Sequence, residues 1–226
     1  MGPIITALML ALGLSLSNPA SYVPKIEKPK VLLVGDSQSL GEYGKTLDQL
    51  FRIKIGTGNV TTAALCGAHE KHFLYGDDSG CDPNKNDVVG WYKTSTQDDG
   101  QRTSFQLEQL IEENDPSLVV ISLGTNYMSP RRVLNGRTKE LLDTLNGRKC
   151  YWVGAPQLDI PPVRTGVINE HLRVMTQEAC TYVDSTLLTD KKDILPDGIH
   201  YKKQPARRWA KRVFDTIIKY EKSISE

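Results

Sequence analysis

Apolar positions follow two different periods along this chain. Val31–Val34 is a short unbroken apolar run closed by Gly35, and Leu118–Leu123 (LVVISL) is another, closed by Gly124. Runs without alternation suit strands buried on both faces of a sheet. Tyr151–Val153 and Tyr182-Val183 are shorter pieces of the same kind, and Ile53–Leu65 carries β-branched segments that end at Cys66-Gly67. Between these runs the period lengthens to that of a helix. Leu40, Tyr43, Leu47, Leu50 and Phe51 share one helical face. Leu107, Leu110 and Ile111 form another within Thr103–Asn114, and Pro116 marks its end. Residues 130–146 present Val133, Leu134, Leu141, Leu142 and Leu145 as a stripe, Val167–Ala179 is helical, and 204–221 forms an amphipathic terminal helix around Trp209, Val213, Phe214, Ile217 and Ile218. Residues 68–101 are rich in Asp, Gly, Asn and Lys with little periodicity, and read as a long excursion.

Strands alternating with helices predict an α/β domain with a parallel sheet and right-handed crossovers. In such sheets ligands bind beyond the carboxyl ends of the strands, so the residues just after each strand are the ones to inspect. Composition supports one domain with a substantial core: 226 residues, 39% hydrophobic, 24% charged. The net charge of +1 supplies no field that would draw nucleic acid or an anionic membrane. The N-terminus departs from this average. Ile4–Ser17 is apolar and uncharged, too short to span a bilayer. It fits the core of a secretory signal, although no Lys or Arg precedes it. The sequence therefore divides into a signal over residues 1–20, a Pro-containing linker over 21–30 and a domain over 31–222, with a secreted or periplasmic destination. No stable membrane insertion is expected once the signal is removed, and no Cys near the cleavage region offers a lipid anchor.

The strand tips hold specific chemistry. Gly35-Asp36-Ser37 follows the first strand, Cys66-Gly67-Ala68 the second and Gly124-Thr125-Asn126 the third, and Asp197-Gly198-Ile199-His200 precedes the last helix. Each alone reads equally as a turn or a helix cap. Together they contain a hydroxyl nucleophile (Ser37), a base to take its proton (His200), a carboxylate to orient that base (Asp197), and donors for an oxyanion (the N–H of Ser37 and Gly67 and the amide of Asn126). A histidine base works only when neutral, so activity should rise with pH through about 6–7.

These four blocks resemble those of the SGNH hydrolases, the GDSL-type esterase superfamily. GDSQS supplies the Ser block, Gly67 the Gly block, GTN the Asn block and DGIH the His block, over roughly residues 30–220. The Gly block, ALCGAH, carries the least pattern, and Gln38 stands where the family more commonly has Leu. The resemblance implies a three-layer α/β/α sandwich around a five-stranded parallel sheet, flavodoxin-like in topology. It also implies a Ser-His-Asp acyl-enzyme mechanism with no metal or cofactor.

The four cysteines allow three pairings or four free thiols; nearest neighbours along the chain give Cys66–Cys81 and Cys150–Cys180. The family fold makes the strands beside Cys150 and Cys180 neighbours, so both would lie at the sheet edge away from the site, while Cys66 touches the oxyanion segment. His69-Glu70-Lys71-His72 lacks the spacing of the zinc-protease helix. His69, two residues past Gly67, Trp91 on the excursion and Gln157 after the fourth strand are candidate substrate contacts. The excursion is polar (Asp77, Asp78, Asp82, Asn84, Lys85, Asn86, Asp87), unlike the apolar face of a lipase lid. The expected substrate is therefore a small-molecule or glycan acyl ester, with an O-acetyl group on a carbohydrate or envelope glycan foremost. A lipid or long-acyl esterase, a glycan acyltransferase and a non-catalytic glycan-binding module are the alternatives.

Overall fold

A computed structural model describes residues 28–81, 88–94, 102–127, 137–160 and 164–225. Strand β1 (Val31–Gly35) runs into a one-turn helix α1 (Ser37–Leu40) and then α2 (Glu42–Ile55). Strand β2 (Val60–Leu65), helix α3 (Glu70–Tyr75) and strand β3 (Gly90–Lys93) follow. Next come α4 (Leu107–Asn114), β4 (Leu118–Ser122), α5 (Arg137–Asp143), β5 (Lys149–Val153), α6 (Thr165–Thr176), β6 (Thr181–Val183) and the long terminal helix α7 (Lys203–Ser225).

The sheet has six strands in the order β3-β2-β1-β4-β5-β6, not the expected five. Five are mutually parallel, and the sixth, β3, runs antiparallel along the outer side of β2, pairing Ala64 with Trp91 and Leu65 with Gly90. This strand lies inside the stretch 68–101 that reads as an excursion, as does α3. Four residues between polar flanks carry too little periodicity to announce a strand. The signal over 1–20, most of the linker over 21–30, the polar positions Asp82 and Asn84–Asp87, and the apolar pair Val133 and Leu134 lie outside the described residues. Among the described residues, no helix is long and apolar enough to cross a membrane.

Each central strand is buried on both sides, as its unbroken apolar run requires. In β1, Leu32 and Val34 enter a core with Phe73 of α3, Leu107, Leu110 and Ile111 of α4, Leu141 of α5 and Leu172 of α6. Val31 and Leu33 enter a second core with Tyr43, Leu47 and Phe51 of α2 and Trp209, Val213 and Ile217 of α7. Helices thus flank the sheet, and Trp209 stacks on Tyr43 with ring centroids 3.7 Å apart.

All four cysteines are paired, Cys66 with Cys81 and Cys150 with Cys180, the nearest-neighbour pattern. Cys150 lies near the start of β5 and Cys180 directly before β6, its hydrogen-bonded neighbour. That bridge sits at the amino ends of these strands.

Candidate active site

The parallel register decides which residues meet. Gly35 at the end of β1 lies level with Ala64 of β2 and Ser122 of β4, so the segments after all three strands emerge on one edge. That edge is also where strand order reverses, because β2 and β3 extend to one side of β1 and β4, β5 and β6 to the other. Such a switch point leaves a crevice in open α/β sheets.

Ser37 occupies the first position of α1, half-buried, immediately after the N-cap Asp36. The Asp36 side chain accepts from the backbone N–H of Gln38 (3.0 Å) with one oxygen and from that of Thr125 (3.3 Å) with the other. The carboxyl thus fixes the turn that presents Ser37 and ties it to the Asn126 segment. Burial pushes its pKa up to about 6, against the pull of the hydrogen bonds from Gln38 and Thr125.

His200 Nε2 lies 3.1 Å from Ser37 Oγ, and His200 Nδ1 lies 2.7 Å from Asp197 Oδ2. The other oxygen of Asp197 accepts from the backbone N–H groups of Ile199 and His200, both at 2.9 Å. Partial burial disfavours the charge on Asp197, but these two N–H donors and the His200 imidazole outweigh it and hold the carboxyl below its usual range. Gly198, at φ +73°, makes this turn possible: a Cβ there would stand 2.6 Å from the Asp159 carbonyl oxygen. A hydroxyl, an imidazole and a carboxylate in series can move a proton off Ser37 Oγ and stabilise the resulting imidazolium.

Gly67 follows β2 with φ +68°, and Asn126 follows β4. Asn126 Nδ2 donates to the Ala68 carbonyl at 2.9 Å, which joins these two segments directly. The Cys66–Cys81 bridge lies beside them, and Gly80 N–H donates back to the Cys66 carbonyl at 3.0 Å.

The three candidate substrate contacts fall differently. His69 stays beside Gly67 and Ala68, part-exposed, with Nδ1 3.8 Å from the buried Glu70 and its ring edge-on to His72. Trp91 is on β3 rather than on a loop, and only 8% of it is exposed. Gln157 donates its amide N–H to the Thr186 carbonyl at 3.2 Å. Among the described residues, no cluster of three or more His, Cys, Asp or Glu is arranged to hold a metal ion. The motifs mark Asp36 only as a turn residue and leave Gln38 undecided; their partners Thr125 and Ile199 are 89 and 161 residues away, beyond any local pattern.

No protein-family model matches the chain, and no curated protein matches it in sequence. Solved structures do match in shape. A mutant acetyl esterase crystallised with an acetate ion superposes with a TM-score of 0.54 at 14% identity, covering 87% of this chain and 99% of that one. A carbohydrate esterase family 3 protein from Talaromyces cellulolyticus gives a TM-score of 0.54 at 13% identity, covering 86% and 99%. The chain shares the α/β fold of these two structures. At these identities the likeness to the two esterases is one of fold, while the side-chain geometry described above belongs to this chain.

Proposed function

We propose that this protein is an exported serine esterase that hydrolyses an O-acetyl or similarly small acyl ester on a carbohydrate or cell-envelope glycan. The observation that carries the reading is the hydrogen-bonded series Asp197–His200–Ser37 at the switch point of the sheet. In this reading Ser37 Oγ attacks the acyl carbonyl while His200 Nε2 takes its proton. His200 then gives that proton to the departing alcohol, leaving an acyl-Ser37 ester. Water, deprotonated by His200, attacks that ester, releases the acid and returns the proton to Ser37. Asp197 holds the imidazole in the tautomer with Nδ1 protonated. The N–H groups of Ser37 and Gly67 and the amide of Asn126 receive the negative oxygen of each tetrahedral intermediate. The Asn126 amide donates to the Ala68 carbonyl at 2.9 Å, which fixes the plane of the group beside Gly67.

The polar sequence beyond Gly67 supports a small, hydrated acyl group over a long chain, and both fold relatives are described as esterases, one an acetyl esterase and one a carbohydrate esterase. Two disulfides and the signal-like residues 1–20 support an oxidising, extracytoplasmic site of action.

The test is one substrate panel: nitrophenyl esters from acetyl to decanoyl, and O-acetylated polysaccharides, with wild type and Ser37→Ala. Acetyl esters should be turned over fastest, acetate should be released from polysaccharide, and Ser37→Ala should lose at least about 10³-fold. Rates that climb steadily with chain length would mean a lipid esterase. Acyl transfer to an added sugar without free acid would mean a transferase. Polysaccharide binding without turnover would mean a binding module.

A further inference from the structure

We infer that Gln38 is a positioning residue that clamps the His200 loop to the nucleophile turn, and that it keeps His200 in place while Ser37 is acylated. This inference rests on the esterase reading and goes beyond it. Gln38 is the second residue of α1, next to Ser37, and only 5% of it is exposed. Its Nε2 donates to the carbonyl oxygen of Ile199 at 2.8 Å, and Ile199 directly precedes His200.

The loop needs such a tether. The side chains of His200 and Asp197 are 39% and 45% exposed, so packing holds them only in part. Within the loop, Gly198 N–H donates to Leu195 O, Leu195 N–H donates to His200 O, and both Asp197 oxygens are engaged. Asp159 N–H reaches Gly198 O from the loop after β5. These bonds shape the turn and anchor it to the β5 side, but none fixes its distance from α1.

Among the described residues, two hydrogen bonds cross that gap: His200 Nε2 to Ser37 Oγ, and Gln38 Nε2 to Ile199 O. The first cannot persist through the reaction, because its proton leaves and Oγ becomes an ester oxygen. The second involves no reacting atom and survives every step. It therefore sets where His200 stands when it must deprotonate the hydrolytic water, with Ser37 no longer able to hold it. A leucine here, the commoner residue in the resembled family, has no donor for the Ile199 carbonyl.

The experiment compares Gln38→Met, which keeps length and volume but lacks the donor, with Gln38→Leu, an apolar second variant if the first folds poorly. Both are measured with nitrophenyl acetate, in otherwise wild-type protein and in a His200→Ala background. In wild-type background kcat should fall about ten- to a hundredfold, as for a misplaced catalytic group, with KM within about twofold. The deacylation rate should fall further than the acylation burst. In the His200→Ala background the same substitution should cost less than about twofold, because residues that act through one another are not additive. Hydrogen exchange should quicken about tenfold in a peptide spanning 195–201 and stay unchanged in β4 and α7. An unchanged kcat, an equal loss in both backgrounds, or unchanged exchange at 195–201 would each overturn the clamp. The two readings fail separately. Full activity in Ser37→Ala removes the esterase mechanism whatever Gln38 does, whereas a silent Gln38→Met beside a dead Ser37→Ala removes only the clamp.

Discussion

Asp36 shows how one carboxyl can serve geometry at a cost in stability. It joins the turn before Ser37 to the turn before Asn126, and burial raises its pKa from 3.8 to about 6. An acid whose folded pKa lies above its unfolded value stabilises the fold while protonated in both states. That contribution is present below about pH 4, declines between about pH 4 and 6 as only the unfolded chain ionises, and is gone above about pH 6. A rise of that size corresponds to about 3 kcal/mol. Asp36→Asn should remove this slope. Urea unfolding at pH 4.5 and 6.5 should show wild type losing about 2 kcal/mol relative to the variant between those two pH values. Equal slopes would place the proton elsewhere. Gly67 makes a second prediction at this scale. Its φ of +68° disfavours a side chain, and a Cβ would meet Gly80 Cα at 3.2 Å. Gly67→Ala should cost about 1–2 kcal/mol in stability. It should also lower kcat about tenfold or more if the proposed oxyanion donor moves with it, with the two effects separated by thermal melts and steady-state rates.

Elements that fill a whole buried layer were legible; short elements at the margins were not. The runs at 31–34 and 118–123 became β1 and β4 because strands covered on both faces have no polar side to interrupt them. The terminal helix forms as read, extended to Lys203–Ser225, because its apolar stripe matches the α-helical period. The helix read from Thr103 starts only at Leu107, since its cap Gln106 has extended backbone. The helix read over 130–146 is described as Arg137–Asp143. Strand β3 was missed because it depends on pairing with β2, a contact that a window of four residues does not contain. At this scale α7 is held by one large buried side chain that a single change can remove. Trp209 is buried against Tyr43 and donates its indole N–H to Ser185 Oγ at 3.1 Å. Trp209→Ala should destabilise by about 3–5 kcal/mol, read as a lowered urea midpoint, whereas Trp209→Phe should lose much less.

Across the whole molecule, the two disulfides sit at opposite ends of the strands and should behave differently. Each closes a loop, of 15 and 30 residues, for which chain entropy predicts about 3–4 kcal/mol. Replacing Cys150 and Cys180 together by Ser should lower stability by up to that amount and leave kcat within about twofold. Replacing Cys66 and Cys81 together should lower both, because that bridge braces the segment carrying Gly67 and Ala68. Equal kcat in the two double variants would show that the loop beyond Gly67 holds its shape without the bridge.

The sequence by itself determined the alternating α/β order and the four short blocks around Ser37, Gly67, Asn126 and His200, while the cysteine pairing stayed open until the structure gave Cys66–Cys81 and Cys150–Cys180. That order and those blocks are written in residues close together, where periodicity and turn chemistry act. Tertiary structure alone decided that β3 joins the sheet and that the register of β1, β2 and β4 brings three blocks to one edge. It also decided that Trp91 and Gln157 turn to packing and backbone contacts, and that Asp36 and Gln38 bind segments 89 and 161 residues away. Those facts depend on which strands become neighbours. That choice follows from how the crossovers bury the apolar faces of the whole sheet, and no local stretch of chain encodes it.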